Sequence, residues 1–150
     1  MAVEIAIRLV TARDHDEWLR MRAALWPSEA TERLRAEIAV IAKDPRQPVF
    51  VAVRPDGGLC GMVEVSIHPS ALGCETPHVG YIEGWQVDPD MRRRGIGRML
   101  MRTAEEWARA QGCREMASDT DADRTTSIAA HRALGYEAVE DVLCFHKRLG

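Results

Sequence analysis

The sequence predicts one α/β domain with a mixed sheet, in the order β-α-α-β-β-β-α-β-α-β. Three observations lead there. Short runs of strand-forming residues interleave with segments whose apolar positions recur at helical spacing. Two of the middle strands flank a tight turn, as in an antiparallel hairpin, whereas the later strands are separated by helix-length segments, as in β-α-β crossovers. No internal repeat, low-complexity tract or linker interrupts the 150 residues, a length that suits one core.

Taken in order, Ile5 to Val10 is a short strand. Asp14 with Glu17 three residues later reads as a capping box. The helix it opens carries Trp18, Met21 and Leu25 on one face, and Pro27 ends it. A second helix starts near Thr31, with Leu34, Ile38 and Ile41 on one face, and Pro45 and Pro48 close it. Val49 to Val53 and Leu59 to Ile67 flank the turn Pro55-Asp56-Gly57-Gly58. After a loop from Pro69 to Pro77 comes the strand Val79 to Val87. From Gly97 to Ala110, Met99, Leu100, Ala104, Trp107 and Ala108 mark an amphipathic helix, and Gly112 stops it. Glu115 to Ser118 is a short strand, Thr125 to Leu134 a helix with Gly135 behind it, and Val142 to Lys147 the last strand.

Composition narrows the function classes. Hydrophobic residues make up 46% and charged residues 29%, the balance of a globular chain. Twenty Lys and Arg against 23 Asp and Glu give a net charge of -3, which argues against nucleic acid as a partner and suits a cationic ligand. Cys60, Cys74, Cys113 and Cys144 are scattered without a C-x-x-C pair, so neither a zinc site nor a disulfide framework is expected, and no metal is assigned. Met1 to Arg8 lack the apolar core of a signal peptide, and no run approaches the ~18 apolar residues of a membrane span. These features predict a reduced, cytoplasmic protein without a membrane partner.

The most informative segment runs from Val87-Asp88-Pro89 to Arg98. A strand ends, a basic turn with Gly95 and Gly97 follows, and an amphipathic helix begins. Exposed N–H groups at a helix start, approached closely past glycine, suit a phosphate, and Arg92, Arg93, Arg94 and Arg98 add charge. A Rossmann fingerprint does not fit, because Leu100 holds the third glycine position. A nucleic-acid patch lacks aromatic interleaving and overall basicity. A merely solvated helix start is the bland alternative.

The pattern Arg92-x-x-Gly95-x-Gly97 after V-D-P resembles the acyl-CoA pyrophosphate loop of the GNAT acetyltransferases, and the element order is similar to that fold. Within that superfamily the chain most resembles the aminoglycoside 6'-N-acetyltransferases. The resemblance runs nearly end to end: Met21-Arg22-x-x-Leu25-Trp26-Pro27, Glu83-Gly84 with Val87, the loop, Gly112 through Met116-Ala117-Ser118-Asp119-Thr120, and His131-x-Ala133-Leu134-Gly135-Tyr136. It implies acetyl-CoA as co-substrate, an aminoglycoside as the polycationic partner, and a homodimer.

Acetylating a primary amine sets chemical demands. With a Lys-like pKa near ~10, freeing the amine at neutral pH costs roughly 4 kcal/mol, so a proton acceptor must stand beside it. Donors must meet the tetrahedral oxyanion. Glu83 interrupts an apolar strand, and Gly84 beside it permits a bulge; its bland alternative is a solvent-facing acid. Asp119 ends a predicted strand and is otherwise a turn residue. The resemblance implies that Asp119 and Glu83 handle the amine, with Asp119 as base, and that His131 stands near the CoA sulfur, where a proton donor has a use. It further implies that Trp85, Gln86 and Val87 pair with the pantetheine arm as an added strand would, and that Arg93 to Arg98, including Ile96, take the pyrophosphate. Trp26, Glu29, Ser70 and Glu140 are implied around the sugar.

Three departures qualify this reading. Arg124 replaces a usual Asn at a CoA contact, Ser70 falls where an aromatic contact to the sugar is common, and Phe145 replaces a C-terminal tyrosine. Two other functions remain open from sequence: acetylation of a polyamine, amino-acid derivative or protein N-terminus, and a non-catalytic acyl-CoA sensor. The sensor has no need for Glu83 and Asp119 to converge.

Overall fold

The computed structural model describes residues 4–139, 145 and 147–149. Strands β1 (Ala6–Leu9), β2 (Val49–Val53), β3 (Leu59–His68), β4 (Val79–Val87) and β5 (Met116–Ser118) form one sheet in sequential order. Pairing is antiparallel from β1 to β4 and parallel between β4 and β5. Helices α1 (His15–Leu25) and α2 (Thr31–Ile41) precede β2, α3 (Ile96–Ala110) crosses from β4 to β5, and α4 (Thr125–Ala133) follows β5. The mixed α/β fold expected from the sequence is thus observed; the expected last strand, Val142 to Lys147, falls mostly outside the described residues.

Alternation along the strands sends side chains to two cores. Trp18, Met21 and Ile38 of α1 and α2 pack on Val49, Val51, Leu59 and Met62. On the opposite face Ile96, Leu100, Met101 and Ala104 of α3 pack on Ala52, Cys60, Val63, Val65 and Ile82. α1, α2 and α3 are amphipathic for this reason: one stripe meets the sheet while most charged residues face out, although Arg22 of α1 turns inward to an acid on the sheet.

One expected detail is corrected. The capping box forms one turn earlier than Asp14 and Glu17, at a 3-10 turn over Ala12–Asp14. Asp14 accepts from the Thr11 N–H at 2.8 Å and hydroxyl at 3.0 Å, while Glu17 turns away to accept from the Leu59 N–H at 3.1 Å. An acid three residues into a helix caps whichever residue is poised to receive it, and here the hairpin start competes for Glu17.

Two features of β4 position the site. Glu64 pairs with Gly84 but Val65 pairs with Ile82, so Glu83 is the extra residue of a β-bulge, in keeping with the glycine beside it. The parallel ladder to β5 covers only Gly80 to Ile82. β5 ends at Ser118, so from Glu83 to Val87 the β5-facing edge of β4 has no strand partner among the described residues. This is the kind of edge that an extended ligand can join.

Candidate active site

Two clefts meet where the β4–β5 ladder ends. The smaller, about 110 Å³, is lined by residues including Trp26, Glu83, Gly84, Trp85, Ser118, Asp119, Arg124 and His131. The larger, about 760 Å³, runs between α1, α2 and the sheet, and includes Arg22, Trp26, Glu29, Arg33, Glu37, Glu64 and Glu83. Trp26 and Glu83 belong to both. Trp26 is half-buried rather than core, and Gly84 makes room for it: a Cβ at Gly84 would lie 2.9 Å from the Trp26 ring.

Local structure fixes both carboxylates. The bulge turns Glu83 toward α1, where its Oε1 accepts from the Ser66 hydroxyl at 2.6 Å and meets His68 Nε2 at 2.6 Å. Asp119 follows the end of β5, and its Oδ2 accepts from the Tyr81 hydroxyl at 2.5 Å. Burial first, and that bond second, push the Tyr81 pKa well above its ordinary value, so the hydroxyl stays a donor. Among the described residues, Glu83 Oε2 and Asp119 Oδ1 have no hydrogen-bond partner. Each carboxylate therefore keeps one oxygen for a cation.

His131 lies deeper. Its Nδ1 is 2.7 Å from the Ser127 carbonyl, which only an N–H can approach favourably, so Nδ1 carries the proton in the neutral ring. Nε2 then accepts from the Ser118 hydroxyl at 2.8 Å. The rings of Trp85 and Tyr136 stand edge-on to it, with centroids 5.1 and 5.8 Å away.

The floor of the larger cleft is a buried ion pair. Arg22 Nε donates to Glu64 Oε2 at 2.9 Å, and Trp18 Nε1 donates to the same oxygen at 2.9 Å. Arg22 also reaches Glu37 at 2.8 Å, and its guanidinium lies 4.8 Å from the centre of the Trp26 ring. Arg33 spans Glu29 at 3.3 Å and Glu37 at 3.2 Å on the cleft wall.

The loop from β4 to α3 is built for an anion. Arg93 and Gly95 adopt positive φ, 63° and 80°, which turns consecutive N–H groups outward. Ile96, Gly97 and Arg98 precede the first intrahelical bond, from Met99 N to Gly95 O, so their N–H groups face the same opening. Arg93, Arg94 and Arg98 are exposed around it. Gly97 serves a second purpose: a Cβ there would sit 3.2 Å from the Trp85 ring, whose Nε1 donates to Gly97 O at 3.1 Å. Beneath the loop, buried Asp88 accepts from Arg20 at 3.0 Å and Arg54 at 2.9 Å, and Arg54 also holds Asp90 at 2.8 Å. The loop is thereby anchored to α1 and to the β2–β3 hairpin. The unpaired β4 edge through Trp85, Gln86 and Val87 leads from this loop to the two carboxylates, which suits a ligand with a pyrophosphate at one end and an extended amide arm.

Several expected contacts lie elsewhere. Arg92 turns back to donate to the Val87 carbonyl at 3.0 Å, capping the strand end. Arg124 lines the smaller cleft but donates to Leu25 O at 2.8 Å, tying the start of α4 to the end of α1. Ser70 is exposed in the loop after β3 and is not among the residues lining either cleft. Glu140 lies outside the described residues. Conversely, Ser66, His68 and Tyr81 touch the expected site residues although no sequence motif marks them, and so does Ser118, which lies in a segment of the resemblance that gives it no role. The period-two spacing of Tyr81 to Glu83, and of Ser66 to His68, is the available signal. Among the described residues no group of three or more His, Cys, Asp or Glu is placed to hold a metal ion, and no helix is long and apolar enough to cross a membrane.

Comparison with known proteins agrees with this geometry. Residues 14–136 match the Acetyltransferase (GNAT) family. The chain is 42% identical over 146 residues to an aminoglycoside N(6')-acetyltransferase type 1 of Klebsiella aerogenes, covering 95% of this chain and 96% of the relative. It is 38% identical to the enzyme of that name from Serratia marcescens, covering 95% and 100%. Among solved structures, AAC(6')-Iy in complex with the bisubstrate analog CoA-S-monomethyl-acetylneamine superposes with a TM-score of 0.89 at 33% identity, covering 97% of this chain and 99% of that one. AAC(6')-Iy in complex with CoA gives 0.91 at 32% identity, covering 99% and 97%.

Proposed function

Because this chain belongs to the GNAT acetyltransferase family, we propose that it transfers the acetyl group of acetyl-CoA to the 6'-amine of an aminoglycoside, conferring resistance to the drug. One observation carries the reading: Trp26, Glu83 and Asp119 converge on a small cleft that opens beside the unpaired β4 edge and continues into a larger cleft with acids on its wall. An acyl-CoA sensor has no use for that convergence. The whole chain acts as one acetyltransferase unit.

Residues 93–98 hold the pyrophosphate through backbone N–H groups and flanking arginines, and Trp85 to Val87 pair with the pantetheine arm. Acetyl-CoA supplies the thioester carbonyl that the amine attacks. Glu83 and Asp119 first receive the substrate as an ammonium, Trp26 forms the wall against its sugar ring, and Glu29 serves a distal amine. A carboxylate is a far weaker base than an alkyl amine, so Asp119 takes the proton through water or in step with attack rather than before it. The free edge of β4 offers backbone N–H groups to the oxyanion. Neutral His131 has no proton on Nε2, where Ser118 already donates. It therefore acts on the departing thiolate only when protonated, through the Ser118 hydroxyl.

The enzyme is placed in the cytoplasm, where acetyl-CoA is available and where Cys60, Cys74 and Cys113 remain thiols. Its working form is a homodimer, on the resemblance noted from sequence; sedimentation at assay concentration tests this.

A thiol-release assay with acetyl-CoA against aminoglycosides, polyamines and peptides tests the function. Kanamycin-type drugs with a 6'-amine should be acetylated, and analogues with a 6'-hydroxyl should not. Turnover of polyamines or peptides with no aminoglycoside turnover would overturn the assignment.

A further inference from the structure

Glu83 and Asp119 must keep a fixed relation if they are to hold one amine, yet no ladder provides it. Glu83 is the bulge residue, and Asp119 lies beyond the last pair between β4 and β5. What links them is a pair of rings. His68 on β3 and Tyr81 on β4 lie stacked on one face of the sheet, with centroids 4.0 Å apart and planes 6° from parallel. Each ring ends on one carboxylate: His68 Nε2 on Glu83 Oε1 at 2.6 Å, and the Tyr81 hydroxyl on Asp119 Oδ2 at 2.5 Å. A carboxylate is acceptor only, so the neutral His68 ring carries its proton on Nε2. The stack bridges the point where the ladder ends.

We propose that His68 and Tyr81 are positioning residues that together set the separation and orientation of Glu83 and Asp119. Each ring occupies one oxygen of its carboxylate and leaves the other, Oε2 or Oδ1, toward the cleft. The mutual stacking fixes χ angles that two exposed acids would otherwise sample freely. Ser66 adds a second donor to Glu83 Oε1 but none to Asp119, so Asp119 depends on Tyr81 more than Glu83 depends on His68. The proposal rests on the reading that these carboxylates handle the amine.

The test compares wild type with Tyr81→Phe, His68→Ala and His68→Gln in thiol release from acetyl-CoA with kanamycin. Tyr81→Phe keeps the ring but loses the donor, and should lower kcat by roughly 10- to 100-fold, the span for a hydrogen bond to a charged group, with the acetyl-CoA KM unchanged. His68→Ala should lower kcat by a smaller factor, and His68→Gln, which retains an N–H for Glu83, should recover most of it. In substrate-free protein, ¹⁵N spectra of the imidazoles should show His68 as the Nε2–H tautomer, and Glu83→Ala, which removes the acceptor, should abolish that fixed state. Wild-type kcat in both Tyr81→Phe and His68→Ala, a parallel rise in the acetyl-CoA KM, or an Nδ1–H tautomer of His68 each overturns the proposal. If the wild-type protein itself acetylates no aminoglycoside, the functional reading has failed and the proposal falls with it; if it does so while the variants match it, the proposal alone has failed.

Discussion

Replacing Glu64 by Gln isolates the buried ion pair beneath the larger cleft. Glu64 is 3% exposed and accepts three bonds, one from Trp18 Nε1 and two from Arg22. The amide keeps the shape but loses the charge, and its NH₂ must face an Arg22 N–H in either orientation, and Trp18 Nε1 as well in one of them. Removing one partner of a buried pair costs about 3–5 kcal/mol. Arg22 retains the half-exposed Glu37 at 2.8 Å, which places the expected loss near the lower end, about 3 kcal/mol. For a chain of this size each kcal/mol moves Tm by about 2–4 °C, so Tm should fall by about 6–12 °C. Thermal and urea unfolding measure this directly. The double variant Arg22→Met, Glu64→Leu should recover a large part of the loss, since no charge is stranded, though Trp18 Nε1 then lacks an acceptor at a cost of about 1–3 kcal/mol. The drug KM should also rise in Glu64→Gln, because Arg22 supports the Trp26 ring. A loss below about 1 kcal/mol would show that the pair is not desolvated as described.

Two more outcomes follow from the site, and a third from the turn that starts α1. Gly97→Val drives a side chain into the Trp85 ring and the phosphate opening, and should raise the acetyl-CoA KM severalfold or more in a folded protein; unchanged cofactor kinetics would refute that placement. Asp119→Asn should leave acetyl-CoA binding intact but lower kcat/KM by roughly 10²–10⁴-fold; near wild-type turnover there, with none in Glu83→Gln, would reverse the two roles. The bond from Arg8 holds the Asp14 carboxyl down from 3.8 to about 2. The folded value is the lower one, so its stabilisation is full above about pH 4 and is lost as pH falls toward 2. Urea midpoints of Asp14→Asn should therefore lie below wild type at pH 6 and converge with it near pH 2.

Periodicity together with turn residues locates most of the described elements. α1, α2 and α3 owe their pattern to a buried stripe, whereas α4 has no buried residue and is marked by Gly135 behind it. The helix over Thr31–Ile41 and the strands Val49–Val53 and Val79–Val87 follow directly from apolar runs and the prolines and glycines that bound them. The bulge is legible too: an acid followed by glycine inside an apolar strand marks where the alternation of faces can slip by one residue. What is not legible depends on partners distant in sequence. Glu64 looks like an ordinary polar position in an alternating strand, and Arg22 like a helix surface charge; only the packing of α1 on β3 buries them together. Asp88 likewise reads as part of a loop motif, although its charge is spent on Arg20 and Arg54. Arg124 reads as a cofactor contact, but the end of α1 offers a carbonyl within its reach.

The bulge at Glu83 also inverts the parity of β4. Before it, even-numbered Ile82 points into the α3 core; after it, odd-numbered Trp85 and Val87 do. The strand is thus two half-strands of opposite phase, spliced by one supernumerary residue. Point substitutions there perturb a single side chain, but loss of one codon between Ile82 and Trp85 would remove the supernumerary residue. The two half-strands would merge into one of uninterrupted alternation, with Ile82, Trp85 and Val87 still facing the α3 core. The core would keep its side chains, and the cost would fall on the site: Glu83 or Gly84 would vanish from the cleft rim, with the carboxylate or the space for the Trp26 ring lost. In a library of single-codon deletions, this stretch should be a sharp gap among survivors of drug selection, while the turn at Pro55 to Gly58 tolerates length change.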